Sequence, residues 1–247
     1  MTSIAVNVSE LTKIYDEKPA LNNVTFHVNE GSITALLGGN GAGKTTTISL
    51  LLGLLTPTRG KIILMGENMP EGRPRVLPRM NFGSPYVDLP KRLTVRQNLH
   101  VFSRLYGLNK PERRIDQLCH ELGLKTFIDS PTGILSSGQA TRVALAKALI
   151  NAPSILLLDE PTASLDPDTA DWMRSYLESY NKITGATILL ASHNMSEVER
   201  MCDTVLIMKN GKIFERGSPK GLLFKYKKNT LEEIFLDIAR TSTEQKN

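Results

Sequence analysis

A glycine-rich segment early in the chain has the residue types of a phosphate-binding loop. It fits the pattern G-x-x-x-x-G-K-[ST], follows a short apolar run and precedes a segment with helical character. Glycines let successive backbone N–H groups turn toward phosphate oxygens, and a helix N-terminus adds partial positive charge. This context disfavours the alternative of an ordinary glycine-rich turn. We predict a nucleotide site formed by Gly38, Asn40, Gly41, Ala42, Gly43, Lys44, Thr45 and Thr46.

Four side chains in two segments are suited to the chemistry of a nucleoside triphosphate. Lys44 offers a point charge to the β- and γ-phosphates, and the Thr45 hydroxyl can ligate Mg²⁺. Asp159 and Glu160 follow a second apolar run, and buried strands rarely end in paired carboxylates without a cation or proton to handle. We expect Asp159 to hold Mg²⁺ through water and Glu160 to orient and deprotonate an attacking water. The alternative is that the acidic pair only caps the next turn.

The hydrophobic pattern around these residues alternates between strands and helices. Residues 4–8 and 24–28 alternate apolar with polar side chains, whereas 33–37 form a continuous apolar run typical of a buried strand. This order predicts an α/β fold with a mostly parallel sheet, and the prolines of residues 70–90 predict a loop-rich stretch. The other predicted elements are helices at 45–55, 95–106, 111–122, 141–150, 167–181 and 195–202, strands at 61–65, 154–158, 186–191 and 205–209, and a hairpin turn at Asn210-Gly211.

The composition is that of an ordinary globular protein. Of 247 residues, 40% are hydrophobic and 22% charged, which excludes a disordered or fibrous main state. The net charge of +5 gives a weak preference for anionic partners such as nucleotides or a phospholipid surface. The sequence shows no apolar run of about 20 residues and no secretory signal. Cys119 and Cys202 lack a Cys-x-x-Cys partner, which favours a reduced, cytosolic setting.

The segment Leu135-Ser136-Ser137-Gly138-Gln139 resembles the signature of the ATP-binding-cassette (ABC) transporter family, usually Leu-Ser-Gly-Gly-Gln. With the phosphate loop and the acidic pair, it makes the chain similar to the ATP-binding subunits of bacterial exporters over about residues 4–240. The resemblance implies a P-loop nucleotide-binding core, an N-terminal antiparallel β part and an inserted α-helical subdomain. It places one ATPase domain at 1–240, with its core at 1–82 and 151–220, the helical subdomain at 83–150 and a C-terminal helical tail at 221–247.

The resemblance also implies roles for individual residues in binding ATP and Mg²⁺. Tyr15 corresponds to the aromatic residue that stacks on adenine, and His193 to the switch histidine at the γ-phosphate. The implied catalytic set is therefore Glu160, His193 and Lys44, with Thr45 and Asp159 at the metal. The alternative for Tyr15 is an ordinary surface tyrosine, and the alternative for His193 is a structural histidine at a strand end.

The signature is implied to act on a second subunit. Because one small domain cannot easily cup one phosphate group with two of its own loops, Ser136, Gly138 and Gln139 are implied to reach the γ-phosphate bound by a partner chain. An ordinary serine N-cap is the alternative for this segment. Asp166 is similarly compatible with a partner contact and with a helix start.

Two positions depart from the family pattern. Ser137 replaces the first glycine of the signature pair, which is harmless if the backbone there has negative φ. The stretch Asn81-Phe82-Gly83-Ser84-Pro85-Tyr86 lacks the glutamine that the family carries before the equivalent of Leu93-Thr94. Ser84 is a candidate to lend a hydroxyl there, and the coupling of ATP binding to the membrane partner is the property that this departure concerns.

The implied function is ATP hydrolysis that powers transport, through separate transmembrane permease subunits, at the cytoplasmic face of the cell membrane. The resemblance implies peripheral attachment through that partner, a second ATP-binding subunit and no specific nucleic acid. Because every catalytic position is filled in this one chain, a homodimer is favoured, with a heterodimer as the alternative. The C-terminal segment from Thr230 to Leu236 resembles the tail of exporter ATPases, so export is favoured over import. The alternative is a cassette ATPase that acts on ribosomes, nucleic acid or protein assembly.

Overall fold

The computed structural model describes residues 3–84 and 89–240. Within them the strands are β1 (Ile4–Tyr15), β2 (Lys18–Asn29), β3 (Ile33–Leu37), β4 (Arg59–Leu64), β5 (Glu67–Met69), β6 (Met80–Gly83), β7 (Ile155–Asp159), β8 (Thr187–Ser192), β9 (Thr204–Lys209) and β10 (Lys212–Gly217). The α-helices are α1 (Lys44–Leu51), α2 (Arg73–Val76), α3 (Val95–Leu105), α4 (Pro111–Glu121), α5 (Ser137–Ala148), α6 (Pro167–Thr184), α7 (Met195–Met201), α8 (Pro219–Tyr226) and α9 (Leu231–Arg240). Short 3₁₀ turns cover Leu77–Arg79 and Thr132–Ile134.

The main sheet has the strand order β10-β9-β3-β8-β7-β6. The five strands from β9 to β6 run parallel, and β10 closes one edge through an antiparallel hairpin with β9. Every residue of β3, β7 and β8 is buried, because both faces of a parallel sheet are covered. The register pairs Leu37 with Ser192 and Asp159 with Ala191, so these three strands end at one edge of the sheet.

A smaller antiparallel sheet has the order β2-β1-β4-β5. It packs with α1 against one face of the main sheet, where Leu36, Leu157 and Leu189 join a core with Val8 and Ile48. On its opposite face, the main sheet shares a second core with the helices α3 to α9. Successive side chains of each central strand thus point alternately to the two faces of the sheet. The predicted α/β fold with an N-terminal antiparallel part and a helical insertion is confirmed.

The proline-rich stretch contains more regular structure than predicted. The prediction of a loop missed α2 and β6, and β6 pairs in parallel with β7 at the edge of the main sheet. Pro70, Pro74 and Pro78 all precede β6, so the four residues of the strand itself carry the N–H groups that a sheet needs. An edge strand of this length lacks enough residues for a clear period.

Two helix ends also differ from the predicted bounds. The helix predicted at 45–55 ends at Leu51, because Gly53 adopts a left-handed φ of 67° that breaks the helix. The helix predicted at 141–150 runs from Ser137 to Ala148 instead. Its start is shifted because Ser136 forms an N-cap, which places the polar signature residues inside the first turn.

The C-terminal helix α9 is amphipathic, as its sequence indicates. Leu231, Ile234 and Ile238 are buried in the main core and Phe235 packs against it. Residues 241–247, the remainder of the predicted tail, lie outside the described part of the chain. Among the described residues, no helix is both long enough and apolar enough to span a membrane.

The packing of α9 predicts a difference between two alanine substitutions. Ile234 is fully buried, so Ile234→Ala should lower the free energy of unfolding by about 2–5 kcal/mol through lost burial and a residual cavity. Leu236 on the same helix is 43% exposed, and Leu236→Ala should change stability by about 0.5 kcal/mol or less. Urea unfolding followed by circular dichroism measures both values. Equal effects would contradict the observed orientation of α9.

Candidate active site

The phosphate loop connects β3 to α1 and leaves the start of that helix open to a ligand. Gly43 precedes the helix with φ 106°, no side chain caps the helix, and its first turn has no acidic residue. The positive end of the helix dipole is therefore not neutralised locally. This arrangement is suited to an anion such as a phosphate group.

Two glycines of the loop are required by close approach. A Cβ on Gly43 would lie 2.6 Å from Leu21 Cδ2 and 3.0 Å from the Ala20 carbonyl oxygen. A Cβ on Gly38 would lie 2.7 Å from the Met208 carbonyl oxygen. The loop is thus pressed against neighbouring strands, which fixes the direction of its backbone N–H groups.

Lys44 is buried beneath the loop and its charge is held by oxygens. The Nζ group donates hydrogen bonds to the carbonyl oxygens of Gly38 at 2.6 Å and Gly39 at 3.3 Å. It also lies 3.8 Å from Glu160 Oε1. The ammonium group therefore stands between the loop and the end of β7, where β- and γ-phosphates would compete for it.

Thr45 and Asp159 meet where α1 and β7 converge. The Thr45 hydroxyl donates to Asp159 Oδ2 at 3.2 Å. Burial raises the pKa of the Asp159 carboxyl group, and the hydrogen bond from Thr45 opposes that rise. A bound cation would stabilise the charged carboxylate, and hydroxyl and carboxylate oxygens are ligands that suit Mg²⁺. The two residues therefore fit the predicted metal site.

Glu160 and His193 are in direct contact. The His193 Nδ1 atom lies 2.7 Å from Glu160 Oε2, and the His193 backbone N–H donates to the same oxygen at 3.4 Å. Glu160 adopts a left-handed φ of 53°, which costs a non-glycine residue about 1–3 kcal/mol and is common at functional sites. The end of β7 thus holds this carboxylate beside an exposed imidazole and 3.8 Å from Lys44 Nζ.

The loop, the acidic pair and the histidine share one open cleft of about 770 Å³. That volume is within the usual range of ligand sites, roughly 300–1,000 Å³. Tyr15 borders the cleft with its ring 43% exposed, and Lys13 Nζ lies 5.1 Å from the ring centroid. The predicted residues that line the cleft are Tyr15, Asn40, Gly41, Ala42, Gly43, Lys44, Thr45, Thr46, Asp159, Glu160 and His193. Gly39 and Ala20, which were not predicted, also line it.

The signature residues lie elsewhere on the chain. Ser136, Gly138 and Gln139 stand at the start of α5 and do not line the cleft. Ser136 Oγ accepts from the Gln139 N–H at 3.3 Å, while Gln139 Oε1 accepts from the Ser136 N–H at 3.0 Å. The serine is therefore an N-cap, and Ser137 is helical without positive φ, so its substitution for glycine causes no strain. In this arrangement a single chain does not bring the signature to its own phosphate loop.

The segment that lacks the family's glutamine begins within β6. Asn81, Phe82 and Gly83 belong to that strand, and Ser84 follows it. Pro85 and Tyr86 of the same segment lie outside the described residues.

A buried polar group behind the cleft was missed by the sequence analysis. Glu197 on α7 accepts hydrogen bonds from the hydroxyls of Thr162 and Ser192. The spacing Asn194-x-x-Glu197 is the pattern of a helix N-cap followed by an acid, which would have marked the residue.

Comparison with known proteins identifies the family. The model of the ABC transporter family matches residues 21–163, which is more than half of the chain. The chain belongs to the ABC transporter family. Nod factor export ATP-binding protein I of Burkholderia thailandensis is 37% identical over 225 residues, which cover 90% of this chain and 74% of that protein. The bacitracin transport ATP-binding protein BcrA of Bacillus licheniformis is 38% identical over 216 residues, or 86% and 69% of the two chains.

Solved structures of ABC proteins share the fold. An ATP-binding subunit of an ABC transporter superposes with a TM-score of 0.86 at 29% identity, covering 95% of this chain and 99% of that one. The dimeric ATP-binding cassette MJ0796 bound to ADP and Pi gives a TM-score of 0.75 at 25% identity, covering 86% and 98%. The predicted family and the predicted function, the ATP-binding subunit of a transporter, are confirmed. Members of this ABC family are ATPases.

The contacts of Gly43 predict a specific loss of nucleotide binding. In Gly43→Ala, the added Cβ meets Leu21 at 2.6 Å with φ at 106°, so the loop must shift. We expect at least a tenfold increase in Kd for a fluorescent ATP analogue, equivalent to about 1.4 kcal/mol. Gly107→Ala is the control, because Gly107 has φ 74° and no atom within 4 Å of the added Cβ. The control should lose about 1–2 kcal/mol of stability and keep its Kd. Unchanged binding by Gly43→Ala would contradict the tight packing of the loop.

Proposed function

We propose that this chain hydrolyses ATP in a Mg²⁺-dependent reaction and that this hydrolysis powers export through separate transmembrane subunits. The contact between Glu160 and His193 at 2.7 Å, in the same cleft as the phosphate loop, is the observation that carries the proposal. A loop for phosphates, an oxygen pair for a metal and a carboxylate beside the expected γ-phosphate position are the parts that phosphoryl transfer to water needs.

In this mechanism the residues mostly position groups and offset charge. Lys44 exchanges its loop carbonyls for the β- and γ-phosphates, and the backbone N–H groups of the loop hold the phosphate chain. Thr45 and Asp159 would hold Mg²⁺, which when bound would offset negative charge on the phosphates. Glu160 orients a water molecule and accepts its proton, while His193 holds Glu160 on one side and contacts the γ-phosphate on the other.

Tyr15 is proposed to stack on the adenine ring. Tyr15 is exposed and borders the cleft together with Ala20. Stacking of an aromatic side chain on a base contributes about 1–3 kcal/mol. The ammonium group of Lys13 makes a cation–π contact with the ring, and Lys13 does not line the cleft.

The active form is proposed to be a homodimer that encloses two ATP molecules. The signature lies at the N-terminus of α5, where the capping residue Ser136 is exposed and outside its own cleft, so it is available to a nucleotide held by a second copy. The dimeric state of the related cassette bound to ADP and Pi supports this arrangement. Each copy carries every residue proposed for catalysis, so both sites of a homodimer would be competent.

The membrane-spanning part is proposed to be a separate permease, with this chain attached peripherally at its cytoplasmic face. The relative named for Nod factor export supports export, and the relative named for bacitracin transport supports a role in transport. Because these names give different cargoes for similar ATP-binding proteins, we propose that the permease selects the cargo.

The role of Glu160 predicts a separation of binding from turnover. Glu160→Gln should bind ATP with an unchanged Kd and lose about 10²–10⁴-fold in kcat, the span of a general base. Phosphate release at saturating ATP and Mg²⁺ measures turnover. Glu71→Gln is the control, since Glu71 is exposed in a turn far from the cleft in sequence, and its kcat should equal that of the wild type. Wild-type turnover in Glu160→Gln would overturn the proposed mechanism.

The position of the signature predicts ATP-dependent dimerisation. Glu160→Gln should be monomeric without nucleotide and dimeric with ATP and Mg²⁺ in size-exclusion chromatography with light scattering. Adding Ser136→Arg should abolish the dimer, because the side chain blocks the proposed contact with the partner's phosphate. Thr94→Arg is a matched control, because Thr94 forms the same capping box with Gln97 at the start of α3. A dimer that persists in the Ser136→Arg variant would exclude the proposed interface.

A further inference from the structure

A buried carboxylate connects the two turns that carry Glu160 and His193. Glu197 is 1% exposed and stands in the first turn of α7. The Thr162 hydroxyl donates to its Oε1 at 3.0 Å, and the Ser192 hydroxyl donates to its Oε2 at 2.9 Å. Thr162 lies two residues after Glu160, and Ser192 immediately precedes His193. One side chain thus holds both turns.

The contact with Thr162 is more than helix α7 needs for its own end. Asn194 already caps the helix, since its Oδ1 accepts from the Glu197 N–H at 3.2 Å. The Asn194 N–H donates to Ser192 Oγ at 3.0 Å, so Oε2 acts in this local cap through the serine. Oε1 instead reaches a residue 35 positions earlier, in the turn after β7. A local cap accounts for one carboxylate oxygen and leaves the other unexplained.

The relative position of Glu160 and His193 depends on these two turns, because the backbone of Glu160 is strained. Glu160 has a left-handed φ of 53°, and its N–H bonds to the Ala191 carbonyl oxygen at 2.9 Å. Such a conformation persists when its surroundings over-determine it. Burial raises the pKa of Glu197, and the two hydroxyl donors oppose that rise. A buried carboxyl group with a donor on each oxygen has few alternative arrangements.

We propose that Glu197 is a positioning residue for ATP hydrolysis, which holds Glu160 and His193 in register by binding Thr162 and Ser192. This inference rests on the catalytic roles proposed above for Glu160 and His193. Glu197 does not line the cleft, so it acts only through the two turns. It should therefore affect the chemical step and leave nucleotide affinity unchanged.

Steady-state ATP hydrolysis by the full chain tests this role in Glu197→Gln. The amide nitrogen cannot accept a hydrogen bond, so one hydroxyl loses its acceptor while the volume is kept. We expect kcat to fall about 10- to 100-fold, as for a catalytic group displaced by about 1 Å, with KM for ATP changed less than about twofold. Glu71→Gln serves again as the matched carboxylate control. Unchanged kcat in folded Glu197→Gln overturns the proposal.

Thr162 supplies a second pair of variants that leaves the carboxylate in place. Thr162→Val removes the hydroxyl and should lower kcat in the same way, whereas Thr162→Ser keeps it and should restore wild-type kcat. Because these changes are milder, they test the proposal even if Glu197→Gln fails to fold. Equal kcat for the valine and serine variants would overturn it.

A double-variant cycle separates positioning from general stability. In a His193→Ala background only Glu160 is left for Glu197 to position, so adding Glu197→Gln should reduce the remaining kcat by a smaller factor than it does in the wild-type background. A merely structural residue would give the full reduction in both backgrounds, and that result overturns the proposal. Glu160→Gln provides the last distinction. If Glu160→Gln loses turnover while the Glu197 and Thr162 variants do not, only the positioning role fails; if Glu160→Gln keeps turnover, the proposed function fails and the positioning role with it.

Discussion

The parallel pairing of β3, β7 and β8 is the constraint on which the site depends. Their register aligns Leu37, Asp159 and Ser192 at one edge of the sheet. The phosphate loop, the acidic pair and the histidine therefore all lie at this edge. Ligands of open α/β sheets bind outside the carboxyl ends of the strands for this reason. A slip of one residue in any of these strands would reverse its faces and displace its functional group.

Burial behind this edge strengthens the interactions of the charged groups with their partners and also removes their hydration. Lys44, Asp159 and Glu197 are largely withdrawn from water, and each has oxygen or hydroxyl partners close by. In such surroundings an unpaired charge is expensive, whereas a paired one is strongly oriented. Burial raises the pKa of both Asp159 and Glu197, and hydroxyl donors oppose that rise at each carboxyl group. A cation bound at Asp159 would oppose it further.

The molecule separates the nucleotide cleft from the signature. The cleft is built at the end of the sheet, while Ser136 and Gly138 stand on the helical segment at the start of α5. Two anion-binding ends that do not face each other on one chain suit an assembly in which copies share ligands. In the homodimer proposed above, this division would link ATP binding to the relative position of two subunits.

The sequence by itself determined the phosphate loop, the acidic pair, the family signature and the fold class. Each of these depends on local residue types at fixed spacing: glycines for the loop, a continuous apolar run for buried strands, and an amphipathic period for α9. Local patterns did not reveal β6, because this short edge strand follows a run of prolines and is defined only by pairing with β7. For Ser136 they offered a helix N-cap as one of two readings, and the structure adds that Gln139 completes this cap reciprocally.

Tertiary structure alone decided which of these residues meet. The 2.7 Å contact of Glu160 with His193 joins positions 33 apart, and the Glu197 bond to Thr162 joins positions 35 apart. No periodic pattern encodes such pairs, because they arise from the register of parallel strands whose connections pass through helices. Sequence thus determined the chemical groups of this ABC protein, and the sheet determined their distances.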